Sequence, residues 1–175
     1  LLAHELSVLM SGGDFAKVAD FKALPNVNFK GRTSVAVGDV THDGKADLIV
    51  TASYSDGARV SGYTGTSLLS GVTPSAAFTT FTLGGTFANG LYPAVGDLNG
   101  DGFADLAFGV YSAASARVQI YSGQRLVQSK TVAKFADFTL ADGKGNSGVR
   151  LGMRDIDGDG KLDLLTSSGE LVKAF

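Results

Sequence analysis

At 175 residues the chain is long enough for one domain, and a hydrophobic content of 44% supplies a sizeable core. A formal net charge of −2 selects neither nucleic acid nor a membrane surface, and no apolar run approaches the ~18 residues needed to span a bilayer. With no cysteine, disulfides are excluded and bound metal is the obvious alternative staple, while 24 glycines suit many short strands joined by tight turns.

The chain opens at Leu1 without a visible signal peptide, as a processed or excised piece of something longer would. Residues 6–12 and 16–22 read as two strands. Thr33, Val35 and Val37 then fall on every second position of a third, and Asp39–Asp47 forms an acidic loop. Leu48–Val50 is a short apolar run, Arg59–Gly65 a strand closed by a turn glycine, and Phe78–Phe81 another strand. The series then restarts with Leu91, Pro93 and Val95, the loop Asp97–Asp105, the run Leu106–Phe108, and the strands Arg117–Gly123 and Phe135–Phe138. It starts a third time with Val149, Leu151 and Met153, the loop Asp155–Asp163 and Leu164-Leu165. Asp39, Asp97 and Asp155 recur at a spacing of 58 residues, which makes this a structural repeat.

Each unit thus holds four strands, A to D, with the aspartate loop joining A to B. Runs apolar on both faces, such as Leu48–Val50, suit strands buried between neighbouring sheets. Pro93 belongs on an edge, because proline donates nothing to a ladder. Four-stranded antiparallel units repeated radially are propeller blades. The predicted fold is therefore all-β: about 13 strands, a little over three blades, against the ~4–8 of a closed ring. The expected divisions are a partial blade over 1–32 (strands C and D), blades over 33–90 and 91–148, and a partial blade over 149–175. Further blades of the same chain, or another copy in a homo-oligomer, are expected to complete the ring, since terminal faces would expose apolar strands such as Val149–Met153.

The loops carry the chemistry. Positions 1, 3, 5 and 9 hold Asp39, Thr41, Asp43 and Asp47; Asp97, Asn99, Asp101 and Asp105; and Asp155, Asp157, Asp159 and Asp163. Position 6 is always glycine, which permits the positive φ of a sharp bend. Position 7 (Lys45, Phe103, Lys161) varies, as expected if only its backbone carbonyl is a ligand. Calcium takes six to eight oxygens, so three Ca2+ sites are predicted; magnesium, which demands tighter octahedral geometry, suits them less. An EF-hand loop needs an acid at position 12, where this chain has Val50, Phe108 and Thr166. Aspartate and glycine favour turns without any metal, but 10 of the 17 acidic residues converging in three registers would repel one another.

The pattern D-x-[DN]-x-D-G-x-x-D-L, preceded by an apolar strand ending in Gly-Asp, resembles the FG-GAP/VCBS repeat of integrin-α-type β-propellers. Thr41 departs from it at position 3, which weakens the first site. The resemblance implies an extracellular or cell-surface scaffold with calcium in its A–B loops, serving adhesion, carbohydrate binding or a secreted enzyme.

No serine, cysteine or carboxylate is spaced with His4 or His42 as in a catalytic set, so binding is expected rather than catalysis. His42, at non-ligand position 4, reads as solvated. Arg59, Arg117, Arg150 and Arg154 read as structural, and Tyr63, Tyr121, Phe21, Phe81 and Phe138 as packing residues. A glycan or protein ligand is expected where the repeats disagree, in the B–C and D–A loops; Tyr54, Asp56, Asn89, Tyr111 and Asn146 are the exposed candidates. The alternatives are the propeller portion of a secreted polysaccharide- or lipid-acting enzyme and a structural subunit of rings or filaments.

Overall fold

The computed structural model describes residues 6–10, 16–24, 29–54, 56–70, 73–111, 116–140, 148–169 and 171–175. His4, Asn146 and parts of the variable loops lie outside them.

A short antiparallel pair comes first, β1 (Leu6–Met10) with β2 (Ala16–Phe21). The first full sheet is β3 (Phe29–Gly38), β4 (Asp47–Tyr54), β5 (Gly57–Tyr63) and β6 (Ala76–Leu83), neighbours in chain order. The second repeats it with β7 (Leu91–Gly96), β8 (Asp105–Val110), β9 (Arg117–Tyr121) and β10 (Lys134–Thr139). The third has β11 (Arg150–Arg154), β12 (Asp163–Ser168) and β13 (Leu171–Ala174). All described pairings are antiparallel. These are propeller blades, and among the described residues they do not close into a ring. Among the described residues no helix is long and apolar enough to cross a membrane.

The second strand of each full sheet is buried along its length, all eight residues of β4 and all six of β8. Both faces of such a strand meet a neighbouring sheet, which is why its sequence lacks alternation. The main core joins Ile49, Val60 and Phe78 to Leu106, Phe108 and Val118 across the first two full blades. Phe81 sits 6.4 Å from the Phe108 ring and 5.7 Å from that of Tyr121. A second cluster of Ala23, Leu48, Val50 and Leu68 sits beside Phe21 and Tyr63. Pro93 lies on the edge strand β7.

Blade contact depends on missing side chains. A Cβ on Gly38 would lie 2.5 Å from Val95 Cγ1, and one on Gly96 would lie 2.6 Å from Leu162 Cδ1 and 3.0 Å from Met153 Sδ. The strand pairs Gly38–Asp47, Gly96–Asp105 and Arg154–Asp163 are equivalent, so exposed Arg154 holds the glycine's register in the third blade.

Several expectations need correction. Strand A of the first full blade begins at Phe29 instead of 33, because an irregularity after Phe29 lets it pair with Tyr54. Glycines 65 and 123, read as turns ending strand C, open short helices, α1 (Gly65–Leu68) and α2 (Gly123–Val127). Val149 is fully buried, its amide bonded to the Val110 carbonyl at 2.7 Å; apolar side chains left open include Val35 and Val37 on β3, 51% and 62% exposed, and Val172 and Phe175 in the third blade.

Arg117 is structural, as its recurrence suggested. It donates two hydrogen bonds of 2.7 Å to Asp137, which also accepts from Gln119 and Lys134. These contacts, Arg117 foremost, hold the Asp137 carboxyl well below the usual carboxylate range. A depressed folded pKa stabilises above the unfolded value of 3.8 and loses that contribution as pH falls towards the folded one. Asp137 is solvent-facing, so Asp137→Asn should cost under about 1 kcal/mol. In urea unfolding at a series of pH values, that difference should be present at neutral pH and shrink progressively below about pH 4.

Candidate metal centres

The three aspartate loops span from β3 to β4, β7 to β8 and β11 to β12, all at one end of the sheets. Each is wound by its own carboxylates. At position 1, Asp39 accepts from the amides of Asp43 and Gly44 at 3.0 and 2.8 Å. Asp97 takes those of Gly100 and Gly102 at 2.7 and 2.8 Å, and Asp155 those of Gly158 and Gly160 at 2.7 and 3.0 Å. At position 5, Asp43, Asp101 and Asp159 accept from the position-7 amides of Lys45, Phe103 and Lys161 at 2.8–2.9 Å. Gly44, Gly102 and Gly160 have φ of 82°, 87° and 86°, the left-handed bend glycine was expected to provide.

The aspartates divide into two roles. In the third loop, ligand atoms of Asp155, Asp157 and Asp159 lie within 4.8 Å of one another. Among the described residues it is the one loop with three acidic groups so gathered; Thr41 and Asn99 replace the middle carboxylate in the others. Position 9 also has partners beyond its loop in the first two full blades. Asp47 and Asp105 are fully buried and accept from the first amides of α1 and α2, Gly65 N at 2.9 Å and Gly123 N at 3.2 Å. They also accept from their own loops, Thr41 N at 2.8 Å and Leu98 N at 3.2 Å. In the first two full blades position 9 thus ties the loop to the C–D helix of its own blade, a role sequence reasoning missed, while Asp163 accepts from Ile156 N within its own loop at 2.8 Å. A signal existed: Thr64 and Ser122 precede the glycines as helix caps do, with Leu68 and Leu126 as apolar anchors.

Burial pushes the Asp105 carboxyl up to about 6; the Gly123 and Leu98 amides oppose this, and the Asp101 and Asp97 charges add to it. Asp43 is held below its ordinary value by the Thr66 hydroxyl at 2.8 Å and by the Lys45 amide.

The residues fit a hard cation. Position 3 of the first loop offers a telling atom: Thr41 Oγ1 is enclosed and has no hydrogen-bond partner. A buried hydroxyl without a partner is costly and calls for one. Asn99 Oδ1, at the same position, accepts only its neighbour Asp101's amide at 2.8 Å, which leaves it acceptor capacity.

Adjacent loops also touch. His42 Nδ1 lies 2.6 Å from the Gly102 carbonyl oxygen, its ring stands 5.0 Å from that of Phe103, and the Ala104 amide donates to the Asp39 carbonyl at 2.9 Å. His42 is exposed as expected but bridges two loops. It has φ of 58°, where Gly100 and Gly158 have 78° and 80°. Position 7 is not free in the second loop, where Phe103 is buried against that histidine.

Of the candidate recognition residues, Tyr54 is buried beneath Arg59, whose Cζ lies 4.1 Å from the ring centroid. It is therefore a packing residue. Asp56 is exposed and paired with Arg59 at 3.0 Å, Asn89 is exposed, and Tyr111 is half-buried.

The FG-GAP repeat family matches residues 31–69 and 93–121, which take in the first two loops and their flanking strands. No curated protein matches the chain.

Proposed function

We propose that this FG-GAP repeat protein is a calcium-stabilised extracellular binding and scaffold module, without catalytic activity of its own. The observation that carries the reading is the third loop, where three carboxylates converge within 4.8 Å on a backbone already wound for them. Calcium would be held there by Asp155, Asp157 and Asp159 with the Lys161 carbonyl and Asp163. The other two sites would use Asp39, Thr41, Asp43, the Lys45 carbonyl and Asp47, and Asp97, Asn99, Asp101, the Phe103 carbonyl and Asp105. The ion supplies charge compensation and rigidity. The blades fix its loops, and further blades, of the same chain or another copy, complete the open faces.

Affinity follows ligand charge and count, so the third loop should bind tightest and the first weakest. Isothermal calorimetry on Asp39→Ala, Asp97→Ala and Asp155→Ala should show the tightest phase lost in the last of these. A heat of calcium binding absent from the unaltered chain would overturn the reading, and a different order would overturn the ranking alone.

A further inference from the structure

At the end of the sheets away from the metal loops, four side chains from three successive blades form a ladder. Arg32 in β3 places its Cζ 3.9 Å from the Tyr111 ring centroid and donates to the Tyr111 hydroxyl. Tyr111 follows β8, and its ring stands 5.1 Å from that of Tyr92 in β7, tilted by 32°. Arg150, the first residue of β11, places its Cζ 5.2 Å from the Tyr92 centroid. The order is cation, ring, ring, cation, and among the described residues no carboxylate pairs with either arginine.

None of this is repeat architecture. Counted by the 58-residue period, Tyr92 corresponds to Ser34 and Arg150, Tyr111 to Ser53 and Gly169, and Arg32 to Gly90 and Gly148. At none of the three places do all blades carry the same residue, yet these side chains meet. Packing of the repeat needs none of them, so their convergence points to something outside the chain.

We infer that this ladder binds an acidic glycan, one whose sugar rings alternate with carboxylates. This rests on the reading of the module as an extracellular binding protein. A guanidinium stacked on an aromatic ring is already ordered and, beyond the N–H that Arg32 gives to the Tyr111 hydroxyl, keeps donors free, so it loses little freedom on engaging a carboxylate. The two tyrosines have their faces taken by each other and by the cations, so they hold the two guanidiniums in place at the two ends of one row. The acidic loops at the opposite end of the sheets give the module a field that turns a polyanion towards the arginines.

The test uses the full chain in saturating calcium, with hyaluronan hexasaccharide titrated by calorimetry. Its carboxyl-reduced counterpart, a hexaglutamate peptide and a short oligothymidylate serve as comparison ligands. Binding is expected for the hexasaccharide alone, weakening as salt rises. Arg32→Gln and Arg150→Gln should each weaken it at least tenfold, while Arg125→Gln on α2 leaves it unchanged. Both ladder arginines are exposed, so melting temperatures of the variants should match the parent. No binding of the hexasaccharide, equal binding of its reduced form, or insensitivity to both substitutions overturns the proposal. Tighter binding of the peptide or oligonucleotide overturns the glycan assignment. The melting response to calcium, read on the same samples, separates the two failures: if it persists while the glycan does not bind, the ladder proposal falls and the calcium module stands.

Discussion

Removal of calcium is expected to lower the melting temperature by roughly 8–16 °C. Extracellular calcium modules bind at about 10⁻⁴–10⁻³ M. With the ion tenfold above such a Kd, one site contributes roughly 1.4 kcal/mol and three about 4. A domain has only ~5–15 kcal/mol to lose, so the effect is large. Contact between neighbouring loops, through His42 and Gly102 and through Ala104 and Asp39, carries disorder in one loop to the next. Scanning calorimetry in EDTA should show the fall, with recovery in calcium and much less in magnesium. An unchanged midpoint in protein verified as metal-free would make the loops acidic turns and end the calcium reading.

The second large effect is expected from one methyl group. A Cβ on Gly123 would lie 2.0 Å from the Ala104 carbonyl oxygen, and one on Gly65 would lie 2.1 Å from that of Ala46. Both contacts are with backbone, which cannot swing aside as a side chain does. Gly123→Ala should push α2 away from the loop and strip the buried Asp105 of its amide partner. Overpacking and a lost partner together should cost about 2–5 kcal/mol. Gly84→Ala is the matched comparison, with nothing within 4 Å of the added Cβ and a φ of −97°, and should be nearly neutral. Urea midpoints for the two variants decide it; equal midpoints would mean the approach of α2 to the loop carries no weight.

Much of this was legible in the sequence because the repeat multiplies weak signals. One D-x-D-x-D-G stretch is a turn with acids in it; three in register, each between an alternating strand and an apolar run, define the A–B hairpin of a blade. Strand order followed from the same comparison, and Pro93 fell on the edge its missing amide requires. What escaped depends on chain crossings. The buried partners of Asp47 and Asp105 lie 18 residues downstream, on helices too short to show periodicity. Tyr54 looked like a loop residue and is covered by Arg59 folding back over it. Tyr92, in the middle of the ladder, was passed over because it belongs to a strand and its partners lie far along the chain, Tyr111 past the next strand and Arg150 in the next blade.

The glycines between blades give the stack a direction. Each junction mates a bare stretch of backbone on one sheet with a protruding Val95 or Met153 on the next, like a socket and a stud. The first full blade presents its studs, Val35 and Val37, to solvent. The third blade, in the place of its socket, carries Arg154. Two copies set head to tail in this register would bring Val37 to a guanidinium stem, so that joint would not repeat the glycine contact of the others. A blade that covers Val37 as Gly38 covers Val95 would bring its own glycine ahead of its first loop aspartate.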